Sequence, residues 1–331
     1  MHTSDRIPVT VLTGFLGSGK TTLLNHLLTD PHRQRLAVIE NEYGAVNIDN
    51  AILVHDSTTE IVETENGCLC CTVRGDLQKA LTDLALRRDA GALAFDRVVI
   101  ETTGLAQPAP VVQTLLLDPA IGARYRLDGV VTLVDAKYGG IQLDTHVEAQ
   151  EQVGFADRLI ITKPDLVLDG ERAALESRLK DMNPRAAIRT ARFGDAPIEW
   201  VMEVGGFDAG TVLELHPGFP RYARATGHTS GVESFVWRGE RPFDRERFDF
   251  LLQMISQWYG PDLLRYKGVL EFEDDPARWV FQGVHRQQTL TRDRLWASGE
   301  PRGSVLVFIG IGVPRAMLGG GLDKCLAGAA V

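Results

Sequence analysis

The stretch VTVLTGFLGSGKTTLLNHLL, Val9 to Leu28, constrains the fold of this chain more than any other part of it. An apolar, β-branched run leads without a break into Gly14-Phe15-Leu16-Gly17-Ser18-Gly19-Lys20-Thr21, the spacing G-x-x-x-x-G-K-[ST], and a leucine-rich helical pattern follows. Glycines let the main chain curl until its N–H groups and the start of the next helix converge on one point, which suits a chain of phosphates. On this reading Gly14, Gly17, Ser18, Gly19, Thr21 and Thr22 line a nucleotide's phosphates and Lys20 reaches the β/γ-phosphates as a catalytic cation. The Thr21 hydroxyl takes Mg²⁺.

Four more buried-type runs recur at intervals: RLAVIEN, FDRVVIET, LDGVVTLVDA and DRLIITK. Separated by helical patterns, they predict a mainly parallel sheet with helices on both faces, the α/β architecture of a P-loop NTPase, over residues 1–205. Residues 206–229 lose this periodicity and are rich in Gly and Pro, so they read as a linker. Residues 230–331 predict a smaller α+β domain: a strand in VESFVW, a helix around FDRERFDFLLQMIS, strands near GVLEFED, RWVFQGV and SVLVFIGI, then a final helix. A chain of 331 residues with a formal charge of −9 lacks the basic field of a general nucleic-acid binder. With no signal-peptide pattern and no run apolar enough to span a bilayer, a cytoplasmic protein without membrane partners is expected.

Two further stretches belong with the phosphate loop. In VVIETTG, Val98 to Gly104, Glu101 ends an apolar strand, where it would hold a Mg²⁺-bound or attacking water beside the γ-phosphate. In TKPD, Thr162 and Lys163 precede Asp165, a carboxylate that accepts from the N1–H and exocyclic amino group of guanine, while the Lys163 stem lies along the base. Adenine offers no such pair of donors, so GTP is favoured over ATP.

Three of the four cysteines fall within GCLCC, as Cys68, Cys70 and Cys71. In a reducing compartment such a cluster is metal-binding or redox-active rather than a structural staple. Thiolates suit Zn²⁺ or another borderline cation, and ligands this close leave an open, exchangeable site. A thiol redox sensor gated by nucleotide uses the same cluster and stays open as an alternative. A P-loop kinase or other ATP-using enzyme is a third reading; it needs a base for its phosphate acceptor, for which Glu101 and Asp135 are the candidates. Cys325 stands apart and reads as packing.

Together GFLGSGKTTLLNHLL, IENEYG, NGCLCCTVRGDL, VIETTGLAQPAPV, TKPD, RYKG and FQGVHR resemble the CobW/YjiA family of P-loop GTPases, from about Ile7 to the final helix. The resemblance implies a SIMIBI-type nucleotide domain, slow intrinsic GTP hydrolysis, and delivery of Zn²⁺ or Co²⁺ to a client metalloprotein. It implies that the metal is held by Cys68, Cys70 and Cys71 with Glu40 and, secondarily, Glu42, and that Asp49 approaches Mg²⁺ when GTP is bound. A nucleotide-dependent homodimer is common in that structural class. Three departures stand out. Ala45 occupies a position where relatives often carry glutamate, no His-rich tract is present, and Thr162 replaces the asparagine usual in GTPases.

In the second half Phe235, Trp237, Trp258, Tyr259, Trp279 and Phe281 read mostly as core. Arg265 and Lys267 of RYKG read as a solvated strand end, and His285 as a satisfied strand histidine.

Overall fold

The structure is a computed structural model that describes residues 6–29, 35–40, 52–55, 73–205 and 231–328. Contacts divide the chain into two compact units, Met1–Ser177 with Ala186–Phe207 and Arg178–Arg185 with Asp208–Val331. The elements up to the second sheet are β1 (Ile7–Gly14), α1 (Lys20–Thr29), β2 (Leu36–Glu40), β3 (Ile52–His55), α2 (Val73–Asp89), β4 (Arg97–Glu101), α3 (Ala109–Leu117) and α4 (Pro119–Arg124). They continue with β5 (Tyr125–Asp135), α5 (Gly139–Thr145), α6 (Val147–Phe155), β6 (Arg158–Thr162), α7 (Asp169–Met182), β7 (Ala187–Ala191) and α8 (Ile198–Met202).

Among the described residues the first sheet has seven strands in the order β3-β2-β4-β1-β5-β6-β7. Six run parallel, and only the edge strand β3 is antiparallel, against β2. The strands at the centre are apolar on both faces, because crossover helices cover both; β4 is buried along its whole length. The five long runs read from the sequence are β1, β2, β4, β5 and β6. The short β3 and the edge strand β7, the latter mostly solvent-facing, add to the expected set. Arg97 of β4 and Asp128 of β5 pair at 2.9 Å, both almost fully buried, and the same guanidinium reaches the Thr10 hydroxyl on the intervening β1 at 3.2 Å. Asp128 also accepts from the main-chain N–H groups of Val204 and Gly205, so no lone pair of this buried carboxylate is stranded.

The second unit contains β8 (Val232–Gly239), α9 (Arg245–Tyr259), β9 (Leu263–Phe272), β10 (Asp275–Val284), β11 (Gln287–Leu295), β12 (Ser304–Ile311) and α10 (Arg315–Lys324). Its antiparallel sheet has the order β11-β10-β9-β12-β8. Alternate residues of these strands meet α9 and α10 in an aromatic core. There Trp237 stacks on Phe243 at 5.1 Å, Phe243 meets Phe248 in a tilted arrangement at 4.7 Å, and Phe248 meets Phe281 edge-on at 5.8 Å. Asp244 caps α9 by accepting from the Arg247 N–H. Replacing Phe248 by Ala removes the ring shared by two of these contacts, and a loss of about 3–5 kcal/mol is expected in urea unfolding of the full chain.

Four details differ from expectation or sharpen it. Trp258 is 59% exposed on the outer side of α9 and is not core. Arg265 and Lys267 are not a solvated strand end: they sit inside β9 at 3% and 2% exposure. β11 was not legible, since QQTLTRDRL is a polar edge strand held by ion pairs such as Arg292–Asp275 at 2.8 Å. His285 lies in the turn between β10 and β11 at φ +52°, and its Nδ1 is 3.0 Å from the Pro261 carbonyl, which makes that nitrogen the donor. Cys325 is packing, as read; it is buried in the aromatic core, and burial pushes its thiol up to about 11.

Candidate functional site

At the C-terminal edge of the parallel sheet, β1 turns through Gly14 into the loop that starts α1. Gly14 has φ +145°, and a Cβ there would lie 2.5 Å from the Leu133 carbonyl and 2.6 Å from Ser18 Oγ, so the residue type is forced. Gly17 and Gly19 also take positive φ. Lys20 is buried and its ammonium donates to the carbonyls of Gly14 at 2.8 Å and Phe15 at 3.3 Å, so the cation lies under the arch of the loop. Ser18 is fully buried, whereas Thr21 and Thr22 open onto solvent.

Burial holds the Lys20 ammonium below the ordinary lysine value of 10.5, and the nearby Glu101 carboxylate partly offsets this. The neutral amine therefore begins to appear at lower pH than in a free lysine. A polyphosphate anion placed beside it raises the pKa again, so nucleotide binding at alkaline pH takes up a proton, and affinity falls as pH rises through the lowered value. Calorimetry in two alkaline buffers of different ionisation enthalpy checks the sign.

Glu101 ends β4 beside this loop, 9% exposed. The Thr21 hydroxyl donates to Glu101 Oε1 at 3.4 Å, which puts two hard oxygen ligands next to the buried ammonium. That donor set fits Mg²⁺, which takes oxygen ligands and keeps several waters. The loop after β4 is held to the phosphate loop at close quarters. A Cβ on Gly104 would stand 2.7 Å from the Leu16 nitrogen and 2.8 Å from its Cα. Gln152 of α6 donates to the carbonyls of Gly104 at 3.0 Å and Ala106 at 3.1 Å, and Gln142 of α5 donates to that of Leu16 at 3.4 Å.

On the other side, the Thr162 hydroxyl donates to the Ser18 carbonyl at 2.8 Å. Lys163 takes the left-handed conformation at φ +52°, and its ammonium contacts the Gly17 carbonyl and Asp135 Oδ2, both at 2.7 Å. The other oxygen of Asp135 accepts from the N–H groups of Lys137 and Tyr138. Asp135 thus has both oxygens engaged and positions Lys163 rather than standing as a base for a phosphate acceptor. Asp165 follows in a single 3-10 turn, Pro164–Leu166, with Arg192 Nε 3.5 Å from its Oδ1.

The structure therefore gathers Gly14, Gly17, Ser18, Gly19, Lys20, Thr21, Glu101, Thr162 and Lys163 around one loop, with Asp165 following Lys163 in the next turn. Gln142, Gln152, Asp135 as a holder of Lys163, and Arg192 were not singled out from sequence as site residues, and only the strand-ending position of Asp135 gave a signal. Glu40 is the last residue of β2, and its main chain stands in register with Glu101 of β4. Glu42, Asp49, Cys68, Cys70, Cys71 and the linker 206–229 lie outside the described residues. Among the described residues no group of three or more His, Cys, Asp or Glu side chains is placed to hold a metal ion, and no helix is long and apolar enough to cross a membrane.

The sequence profile of the CobW/HypB/UreG nucleotide-binding domain matches residues 8–190, and that of the cobalamin synthesis protein cobW C-terminal domain matches residues 232–326. The chain is 40% identical to the zinc chaperone YjiA of Escherichia coli K12, over 93% of this chain and 95% of that protein. The crystal structure of Zn(II)-bound YjiA GTPase from E. coli superimposes with a TM-score of 0.78 at 37% identity, covering 97% of this chain and 99% of the other. A Zn(II)-bound triple mutant of YjiA GTPase, with one glutamate and two cysteines replaced by alanine, gives 0.79 at 34% identity over the same shares of each chain.

Proposed function

Because the chain belongs to the CobW/HypB/UreG family of nucleotide-binding proteins and carries the CobW C-terminal domain, we propose that it is a GTPase that carries zinc to a client protein. The observation that supports this most is the register of Glu40 with Glu101 across adjacent parallel strands. It joins the nucleotide side of the sheet to the strand end from which the segment bearing Glu42 and Asp49 departs.

In the proposed reaction GTP and water give GDP and phosphate. The arch of Gly14 to Gly19 and the first turn of α1 hold the phosphates, and Lys20 leaves the carbonyls of Gly14 and Phe15 to meet the developing charge between the β- and γ-phosphates. Glu101 orients the attacking water, and its buried carboxylate keeps that water in line with the γ-phosphate. Mg²⁺, when bound, is held at the Thr21 hydroxyl and Glu101, with Asp49 the candidate from the following segment, and neutralises phosphate charge. Asp165 reads guanine. The cargo is held by Cys68, Cys70 and Cys71 with Glu40, and Glu42 beside it; Co²⁺ suits the same ligands.

A strand end that serves both sites makes the two affinities depend on each other. If Mg-GTP tightens zinc tenfold, zinc tightens Mg-GTP tenfold, about 1.4 kcal/mol either way. The test is a titration of the reduced full chain with Zn²⁺ and Co²⁺ against a chelator of known affinity, in the GTP-analogue and GDP forms. Tighter metal binding with the GTP analogue is the expected result. Equal affinity in the two forms removes the coupling, and failure of the cysteines to bind metal in either form removes the carrier.

A further inference from the structure

The turn after β7 lies near Asp165. Between the buried Ala191 and Ala196, residues Arg192 to Asp195 leave the sheet after β7 in a tight reversal, closed by the Asp195 N–H on the Arg192 carbonyl and the Ala196 N–H on that of Gly194, both at 2.8 Å. Two successive residues take positive φ, Phe193 at +49° and Gly194 at +80°. Glycine adopts this conformation freely, but a bulky residue does so only against strain. Gly194 is pressed onto α1, where a Cβ would meet the Thr22 carbonyl at 2.9 Å and the Leu23 Cα at 3.2 Å. The turn is therefore fixed to the helix that begins at the phosphate loop, while the ring it projects is 81% exposed. Arg192, beside it, is the residue whose Nε lies 3.5 Å from Asp165.

We infer that Phe193 is the second wall of the base site: the purine lies between its ring and the Lys163 stem, with Asp165 at the edge. This rests on the nucleotide reading above and extends it. Lys163 is pinned at its far end by Gly17 and Asp135, so its stem offers a fixed surface. A large ring carried on a turn whose main chain is pressed onto α1, next to the Arg192 that contacts Asp165, offers an aromatic face to a base. The stack does not distinguish purines, because every base has a π-face. Phe193 therefore sets how tightly a purine nucleotide is held, and Asp165 sets which one.

Phe193→Gly and Phe193→Trp in the full chain test this by calorimetry with GDP, a GTP analogue and inorganic tripolyphosphate. Phe193→Gly is expected to weaken both nucleotides by about 5- to 150-fold, the range of a lost base–aromatic stack, and to leave tripolyphosphate unchanged. Its melting temperature should be equal or higher, since glycine relieves the strain at φ +49°. Phe193→Trp keeps the affinity and gains an emission change with GDP that tripolyphosphate does not produce. Unchanged GDP affinity in Phe193→Gly overturns the inference while leaving the GTPase reading intact, as does an equal loss for GDP and tripolyphosphate. If the wild-type chain binds no guanine nucleotide, the GTPase reading falls and takes this one with it.

Discussion

Gly104→Ala lowers GTP turnover by about a hundredfold while the protein still unfolds cooperatively. The added methyl group would stand 2.7 Å from the Leu16 nitrogen and 2.8 Å from its Cα, and these are main-chain atoms that cannot rotate aside. Either the phosphate loop or the loop after β4 has to move. Gln152 holds the Gly104 carbonyl and Gln142 holds that of Leu16, so the displacement is passed to the places where phosphate and water must meet. A shift of roughly 1 Å between a nucleophile and its target is enough for a hundredfold loss. Overpacking at one contact costs about 1–3 kcal/mol, which a domain of this size survives. Single-turnover hydrolysis beside a thermal melt separates the two effects. Wild-type turnover in the variant would show that the contact between the loops has no part in catalysis.

Asp165→Asn reverses the choice of base. In the proposed base site the carboxylate accepts from two guanine donors, N1–H and the exocyclic amine, whereas an asparagine side chain offers one acceptor and one donor. Xanthine pairs with that arrangement, because a carbonyl stands where guanine carries its amine. A mismatch on either side leaves polar groups facing each other unpaired, so the ratio of GTP to XTP affinity should change by on the order of a thousandfold. The change does not unsettle the fold, since Asp165 sits in a surface turn and its contact with Arg192 is exposed and worth little. Competition of XTP and GTP for the variant measures it, and a variant with the wild-type ratio would rule out Asp165 as the reader of the base.

What the sequence made legible follows a physical divide. Buried parallel strands and a glycine-forced loop leave marks in the residue types themselves, so β1, β2, β4, β5, β6 and the loop from Gly14 to Thr21 were readable. β7 and β11 were not, because edge strands face solvent and their polar residues alternate without an apolar run. RYKG misled for a related reason: Arg265 and Lys267 look solvated by composition, yet they lie on a strand that is buried throughout. In the site, groups that contact phosphate are constrained in type, but groups that hold those groups are not. Any residue with an amide at the right place would serve as Gln152 does. Its role emerges only when α6 is laid against the loop after β4.

The Thr162 hydroxyl on the Ser18 carbonyl has a consequence for how such a site opens. With Lys163 bonded to Gly17 as well, the phosphate loop and the start of the base-reading turn form a single jaw of a caliper, fixed at 2.7 to 2.8 Å. A nucleotide gripped there sees the same jaw whether it carries two phosphates or three. On the proposed function, the difference of one phosphate is gauged at the opposite jaw, the ends of β4 and β2, where the Glu101 and Glu40 backbones run side by side. On that reading, release of product and any message sent to the cargo pass through that jaw.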